Sequence, residues 1–155
     1  MNNVKIVLFL MLTAIIVGCQ GHNPQIRYDR RVDFSGLKTY AWLSIPEKNE
    51  FKSADIEHLK KNVNARLQAK GLAIDTSKPD FLISTGVGRA VGMENYNPDE
   101  GILTLNFIRP GSKTTIWSGT VQAKLDPGMT AQQNQQIVTD AVDKILNKYP
   151  PPAKK

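Results

Sequence analysis

Apolar residues recur at helical spacing from Ser53 onward. Ile56, Leu59, Val63 and Leu67 share about 80° of arc at roughly 100° per residue. Ser53 suits an N-cap, because its hydroxyl oxygen can accept from a backbone N–H left free in the first turn. Asp55 and Glu57 then put negative charge beside the positive helix end, and Gly71 supplies a left-handed stop. A second helix is predicted after Thr130, which forms a capping box with Gln133. Its apolar positions Ile137, Val138, Ala141, Val142, Ile145, Leu146 and Tyr149 cover about half the circumference. Asp140 and Lys144 have the i,i+4 spacing of an ion pair, and Pro150-Pro151-Pro152 ends the helix.

Elsewhere the period falls to two. Leu103, Leu105 and Phe107 alternate with Thr104 and Asn106; Arg109 to Lys113 turns the chain; Trp117, Val121, Ala123 and Leu125 return around Gly119. That is a hairpin. Phe81 to Val87 reads as a buried strand, Thr39 to Leu43 as another, and Ile26 to Tyr28 as a short first one. Ser44 to Lys52 and Met93 to Glu100 are polar connections, the latter turning at Asn97-Pro98, and Asp126-Pro127-Gly128 ends the sheet. The order β-β-α-β-β-β-α predicts an α+β fold. Each helix has one face to bury, so the economical arrangement is a two-layer sandwich: an antiparallel or mixed sheet of four to five strands with both helices on one side.

The first 19 residues follow neither period. After Lys5, Ile6 to Val17 runs twelve residues without a charge, too short for a bilayer core that needs about 20. It suits the apolar region of a signal peptide. The stretch closes on Ile16, Val17, Gly18 and Cys19, which resembles a bacterial lipobox: the thiol is the nucleophile that takes the diacylglyceryl group, and small Gly18 lets the peptidase reach the bond before it. The expected organisation is a signal peptide over 1–18, lipidated Cys19 with a tether over 19–25, one domain over 26–150 and a Pro/Lys tail over 151–155. The expected product is a palmitate-class lipoprotein joined to a membrane through Cys19. Gln20 stands where an Asp would resemble an inner-membrane retention signal, so the expected location is the periplasmic face of an outer membrane.

Composition narrows this further. A chain of 155 residues carries one domain. The net charge of +6 falls to about +5 beyond Lys5, and in a secreted chain that excess meets anionic headgroups, so nucleic acid is not an expected partner. Arg27, Arg30 and Arg31, with Asp29 and Asp33 among them, are either a candidate membrane-facing basic patch or the charged guard of an edge strand. Cys19 is the sole cysteine, which removes internal disulfides and, once it is lipidated, thiol catalysis.

Catalytic and cofactor chemistry find few candidates. A serine hydrolase or a zinc site needs histidine. His22 lies in the tether, and His58 is expected to face solvent. The glycines of Gly86-Val87-Gly88-Arg89-Ala90-Val91-Gly92 are misplaced for a dinucleotide loop and no helix follows, so strand glycines at a bulge or a close approach are expected. Glu94, Asn95, Asn97, Asp99 and Glu100 do not have the spacing of a calcium loop. No cofactor, metal or catalytic residue is therefore expected.

Tyr28-Asp29 and Asp33-Phe34-Ser35-Gly36-Leu37-Lys38-Thr39-Tyr40-Ala41-Trp42 resemble the opening signature of a bacterial lipoprotein family catalogued as domain of unknown function 4136. Lys70-Gly71-Leu72, Pro79 to Ile83, Ile116 to Gly119 and Tyr149-Pro150-Pro151 fit the same pattern. The resemblance implies one envelope domain after a lipobox, with no established activity and no catalytic residues to carry over. It implies core anchors at Phe34, Trp42 and Trp117 and backbone-geometry positions at Gly36 and Gly119. Three functions stay open: a non-catalytic module binding an unidentified envelope protein or wall component, a carrier or sensor of a small apolar or lipid ligand, and a hydrolase using carboxylates alone.

Overall fold

The computed structural model describes residues 23–43, 53–89, 100–124 and 128–151. The expected signal peptide over 1–18, the lipobox-like residues 16–19, the predicted polar connections at 44–52 and 93–99 and the tail beyond Pro151 lie outside these residues. Among them the strands are β1 (Gln25–Tyr28), β2 (Thr39–Trp42), β3 (Ala73–Ile74), β4 (Phe81–Arg89), β5 (Gly101–Ile108) and β6 (Thr115–Ala123), and the helices are α1 (Ser53–Ala69) and α2 (Ala131–Leu146). The fold is α+β with a mixed six-stranded sheet in the order β1-β6-β5-β4-β2-β3. That is one strand more than the expected four to five. The addition is β3, two residues long and parallel to β2, with Thr39 opposite Ala73 and Tyr40 opposite Ile74.

The C-terminal end of α1 follows from local chemistry. Gly71 takes φ +82°, and Leu72 N–H donates to the Leu67 carbonyl while Gly71 N–H donates to Gln68. Those two bonds make a Schellman stop, which needs the left-handed conformation only glycine adopts without cost. Leu59, Val63 and Leu67 are fully or almost fully buried, each contributing about 1.5–3 kcal/mol of transfer energy. At the start of α2, Thr130 Oγ1 accepts from Gln133 N–H and Gln133 Oε1 accepts from Thr130 N–H, as the capping-box spacing predicts. The Asp140–Lys144 pair does not form; Asp140 accepts from Gln136 Nε2 at 2.8 Å, an i,i+4 contact toward the preceding turn.

Odd-numbered residues of β4, β5 and β6 face the helices, and the register keeps them aligned: Ile83 opposite Phe107 opposite Trp117 at one end, Val87 opposite Leu103 opposite Val121 toward the other. The hairpin-turn end is aromatic. Phe81 stacks on Phe107 with centroids 4.6 Å apart, Trp117 lies 4.7 Å from Phe107, and Tyr149 meets Phe107 edge-on at 4.8 Å. Trp117 is fully buried, whereas Phe34 and Trp42 pack against the core from its margin.

The two expected geometry glycines differ. A Cβ on Gly119 would lie 2.4 Å from Ile145 Cγ2 and 2.8 Å from the Trp117 ring, so glycine is what lets α2 approach β6. Gly36 has no such neighbour and no positive φ; its place in a 3-10 turn over Phe34–Gly36 does not demand glycine.

Candidate functional site

At the end of the sheet away from the hairpin turn the core residues become small. Gly101 begins β5, Ala123 ends β6, and Ala141 lies on the facing side of α2. Less side-chain volume there leaves an apolar cleft of about 60 Å³. Ile56 and Leu59 of α1 and Ile137 and Val138 of α2 form its helical walls. Among the described residues its lining is apolar. Its volume is below the ~150 Å³ of a cavity that holds benzene and far below the ~300 Å³ of ordinary small-molecule sites.

The seam between the helices contains polar contacts. Arg66 of α1 pairs with Asp143 of α2 through both carboxylate oxygens. His58 Nε2 lies 3.2 Å from the Gln135 carbonyl and 3.2 Å from Thr139 Oγ1. The expectation that His58 faces solvent is therefore corrected. The apolar stripe locates the sheet, but a helix packed beside another has a second contact along its flank. Asn64 of α1 also ties helix to sheet: its Oδ1 accepts from Tyr40 Oη at 3.1 Å and from Trp42 Nε1 at 2.9 Å. Burial pushes the Tyr40 phenol up to about 12.

Hydroxyl and amide groups line the sheet face opposite the helices. Ser118 Oγ donates to Asn106 Oδ1 at 2.8 Å, Asn106 Nδ2 reaches Ser84 Oγ at 3.5 Å, and the Thr104 and Thr120 hydroxyls bond at 3.0 Å. These groups satisfy one another across the ladder. Gly86 and Gly88 lie on this face in unbroken register with Thr104 and Ile102. No atom of the described residues would stand within 4 Å of a Cβ at either position, so among these residues neither a bulge nor a close approach explains them. The strand runs through both to Arg89, which is incompatible with a phosphate loop at that point. Glu100 is the only member of the rejected calcium set among the described residues, and no group of three or more potential metal ligands occurs among them.

The basic residues are divided by their surroundings. Arg31 is held by Asp29 in a two-point pair, Nε to Oδ1 at 3.0 Å and a terminal nitrogen to Oδ2 at 2.9 Å. Those bonds pull the Asp29 carboxyl down to about 2. Arg27 and Arg30 are exposed and have no such partner among the described residues. Arg27 lies on β1, which is an edge strand. The expected lipid-attachment and peptidase-recognition residues Ile16, Val17, Gly18 and Cys19 lie outside the described residues. Two carboxylates serve the backbone: Asp80 accepts from Lys38 N–H and Thr39 N–H, each at 2.8 Å, and Asp33 accepts from Ser35. These bonds to the charged form hold both carboxyls below their ordinary range.

Sequence reasoning missed the cleft. Its only signal was the coincidence of small residues at one end of β5, β6 and α2, which becomes visible once register places Gly101 beside Ala123.

Solved structures share this fold. A PDZ domain protein from Parabacteroides distasonis matches at 16% identity with a TM-score of 0.64, covering 86% of this chain and 36% of that one. This chain thus spans about a third of that protein. PelC from Paraburkholderia phytofirmans, crystallised as a dodecamer, matches at 17% identity in two crystal forms. The L103M form gives a TM-score of 0.54 over 81% of this chain and 96% of that one. The other gives 0.51 over 79% and 94%. No curated protein matches the chain. A family model does match, over residues 24–151, and the chain belongs to the family described as a domain of unknown function, DUF4136.

Proposed function

We propose that this chain is a membrane-anchored envelope lipoprotein whose domain is a non-catalytic binding or structural module. The reading is carried by Cys19, the sole cysteine, standing directly after Ile16-Val17-Gly18 at the end of a twelve-residue uncharged run. With Gln20 following, the proposed location is the periplasmic face of an outer membrane. Several acyl chains at about 0.8 kcal/mol per buried methylene would make release negligible. The hydroxyl ladder and the backbone-serving carboxylates support the non-catalytic part, since each has a structural partner. The small volume of the cleft weighs against a carrier of whole apolar molecules.

Metabolic labelling with an alkyne fatty acid tests the anchor. Label is expected in the wild-type chain in the outer-membrane fraction and absent from Cys19→Ser; persistent label in the variant would refute the assignment. Crosslinking in cells followed by affinity capture tests the module, with a reproducible envelope protein or wall fragment as the expected product. Repeated recovery of nothing would count against it.

A further inference from the structure

We propose that the apolar cleft holds the end of an acyl chain carried by this chain's own Cys19 while the protein is outside a bilayer. The inference rests on the lipid-anchor reading above and adds an intramolecular binding site to it.

Strand pairing directs the chain before Gln25 toward the cleft end of β6. β1 is antiparallel to β6, with Gln25 opposite Thr120, so the chain preceding Gln25 continues toward Ala123, the β6 residue on the cleft wall. Three residues along β6 and one strand spacing separate Gln25 from Ala123, about 11 Å in all. The six steps from Cys19 to Gln25 can span up to ~20 Å. A segment of that length is long enough to bring Cys19 to the cleft.

The chemistry of the cleft agrees with that occupant. The described residues around it offer only apolar side chains, which give no hydrogen bond to a polar ligand, whereas an alkyl chain needs none. Its volume of about 60 Å³ admits a methyl terminus and the last few methylenes, not a whole lipid. Outside a bilayer, the acyl chains and the cleft wall both expose apolar surface to water, and docking covers part of each. Inside a bilayer the chain ends are already out of water and that drive disappears.

Photocrosslinking of the lipidated protein tests this. Cells are grown with a palmitate analogue bearing a diazirine at its terminal end. The full protein is purified in detergent, diluted below the critical micelle concentration, irradiated, digested and mapped by mass spectrometry. The expected result is the analogue on the Cys19 peptide, with intramolecular adducts at 56–59 of α1 and 137–141 of α2. Val138→Trp, which fills the cleft, should reduce those adducts at least ten-fold while Ile74→Trp, on the far edge strand, leaves them unchanged. If Val138→Trp does not fold, Ile137→Asn on the cleft wall is read in its place. Label missing from Cys19 overturns the anchor reading and this inference together. Label on Cys19 with no helix adducts, or with adducts insensitive to the cleft variants, overturns the inference alone. Adducts confined to crosslinked dimers overturn it too, because the occupant then belongs to a second copy.

Discussion

Replacing Gly119 with alanine adds one methyl group where α2 crosses β6. That Cβ would stand 2.4 Å from Ile145 Cγ2, 2.8 Å from the Trp117 ring and 3.2 Å from Ile26 Cδ1. Ile145 and Trp117 are fully buried, so neither can swing into solvent, and relief requires a rotamer change or a shift of α2. Overpacking of this kind costs about 1–3 kcal/mol. The reduced freedom of the unfolded chain offsets ~0.4–1 kcal/mol of that. A net loss of about 1–2 kcal/mol is expected. At ~2.1 cal/mol/K per residue over a domain of roughly 125 residues, each kcal/mol lowers Tm by ~4 °C, so the expected drop is about 4–8 °C. Urea unfolding followed by tryptophan fluorescence reads the change through Trp117 and Trp42. A double-mutant cycle with Ile145→Ala identifies its source. The single Ile145→Ala change should cost about 2–5 kcal/mol through its cavity, and alanine at 119 should recover at least ~1 kcal/mol of that by filling it. Gly119→Ala as stable as wild type, or strictly additive with Ile145→Ala, would refute the close-approach account.

The Tyr149 hydroxyl is buried without a hydrogen-bond partner, and burial pushes its phenol up to about 12; Tyr149→Phe is therefore expected to leave stability unchanged or raise it by up to ~1 kcal/mol in urea melts. Asp80 has a depressed folded-state pKa, so its contribution is present above the unfolded value of ~3.9 and is lost as pH falls through the lower folded value. Wild type should therefore exceed Asp80→Asn by up to about 1 kcal/mol, discounted for its exposure, between pH 5 and 8, with the gap closing below pH ~4; a gap independent of pH would show that the charge does not matter. Binding of a chain over 20–155 to vesicles containing anionic lipid should weaken when Arg27 and Arg30 become Ser, by about 1 kcal/mol per charge that meets the surface. Arg31→Ser should matter less, because Asp29 already neutralises that guanidinium.

Elements with many residues to carry a pattern were legible. The α1 stripe, its Gly71 stop and the Thr130 capping box are short-range chemistry, and each appears where the spacing puts it. β3 was not legible because two residues contain no period; Ala73–Ile74 becomes a strand only because the parallel edge of β2 is there to bond it. The contacts of His58 depend on where a helix more than seventy residues later comes to rest, which no local window contains. Asp140 faced two equally spaced partners, and Gln136 won over Lys144. The cleft was hidden for a related reason: Gly101, Ala123 and Ala141 are unremarkable singly, and only the register makes them neighbours.

The placement of β1 also has a kinetic consequence. Its four residues find their strand partner in β6, roughly ninety positions later in the chain. A vectorially emerging polypeptide would present its first strand long before the template for it exists, and the loop to be closed is nearly the length of the domain. The β4-β5-β6 meander can assemble from near neighbours, with α2 supplying the cover. β1 is then the late addition, an edge that docks on a largely finished sheet. In hydrogen exchange, the amides of Ile26 to Tyr28 should therefore open at lower free energy than those of β5, and a pulse during refolding should find β5 protected first.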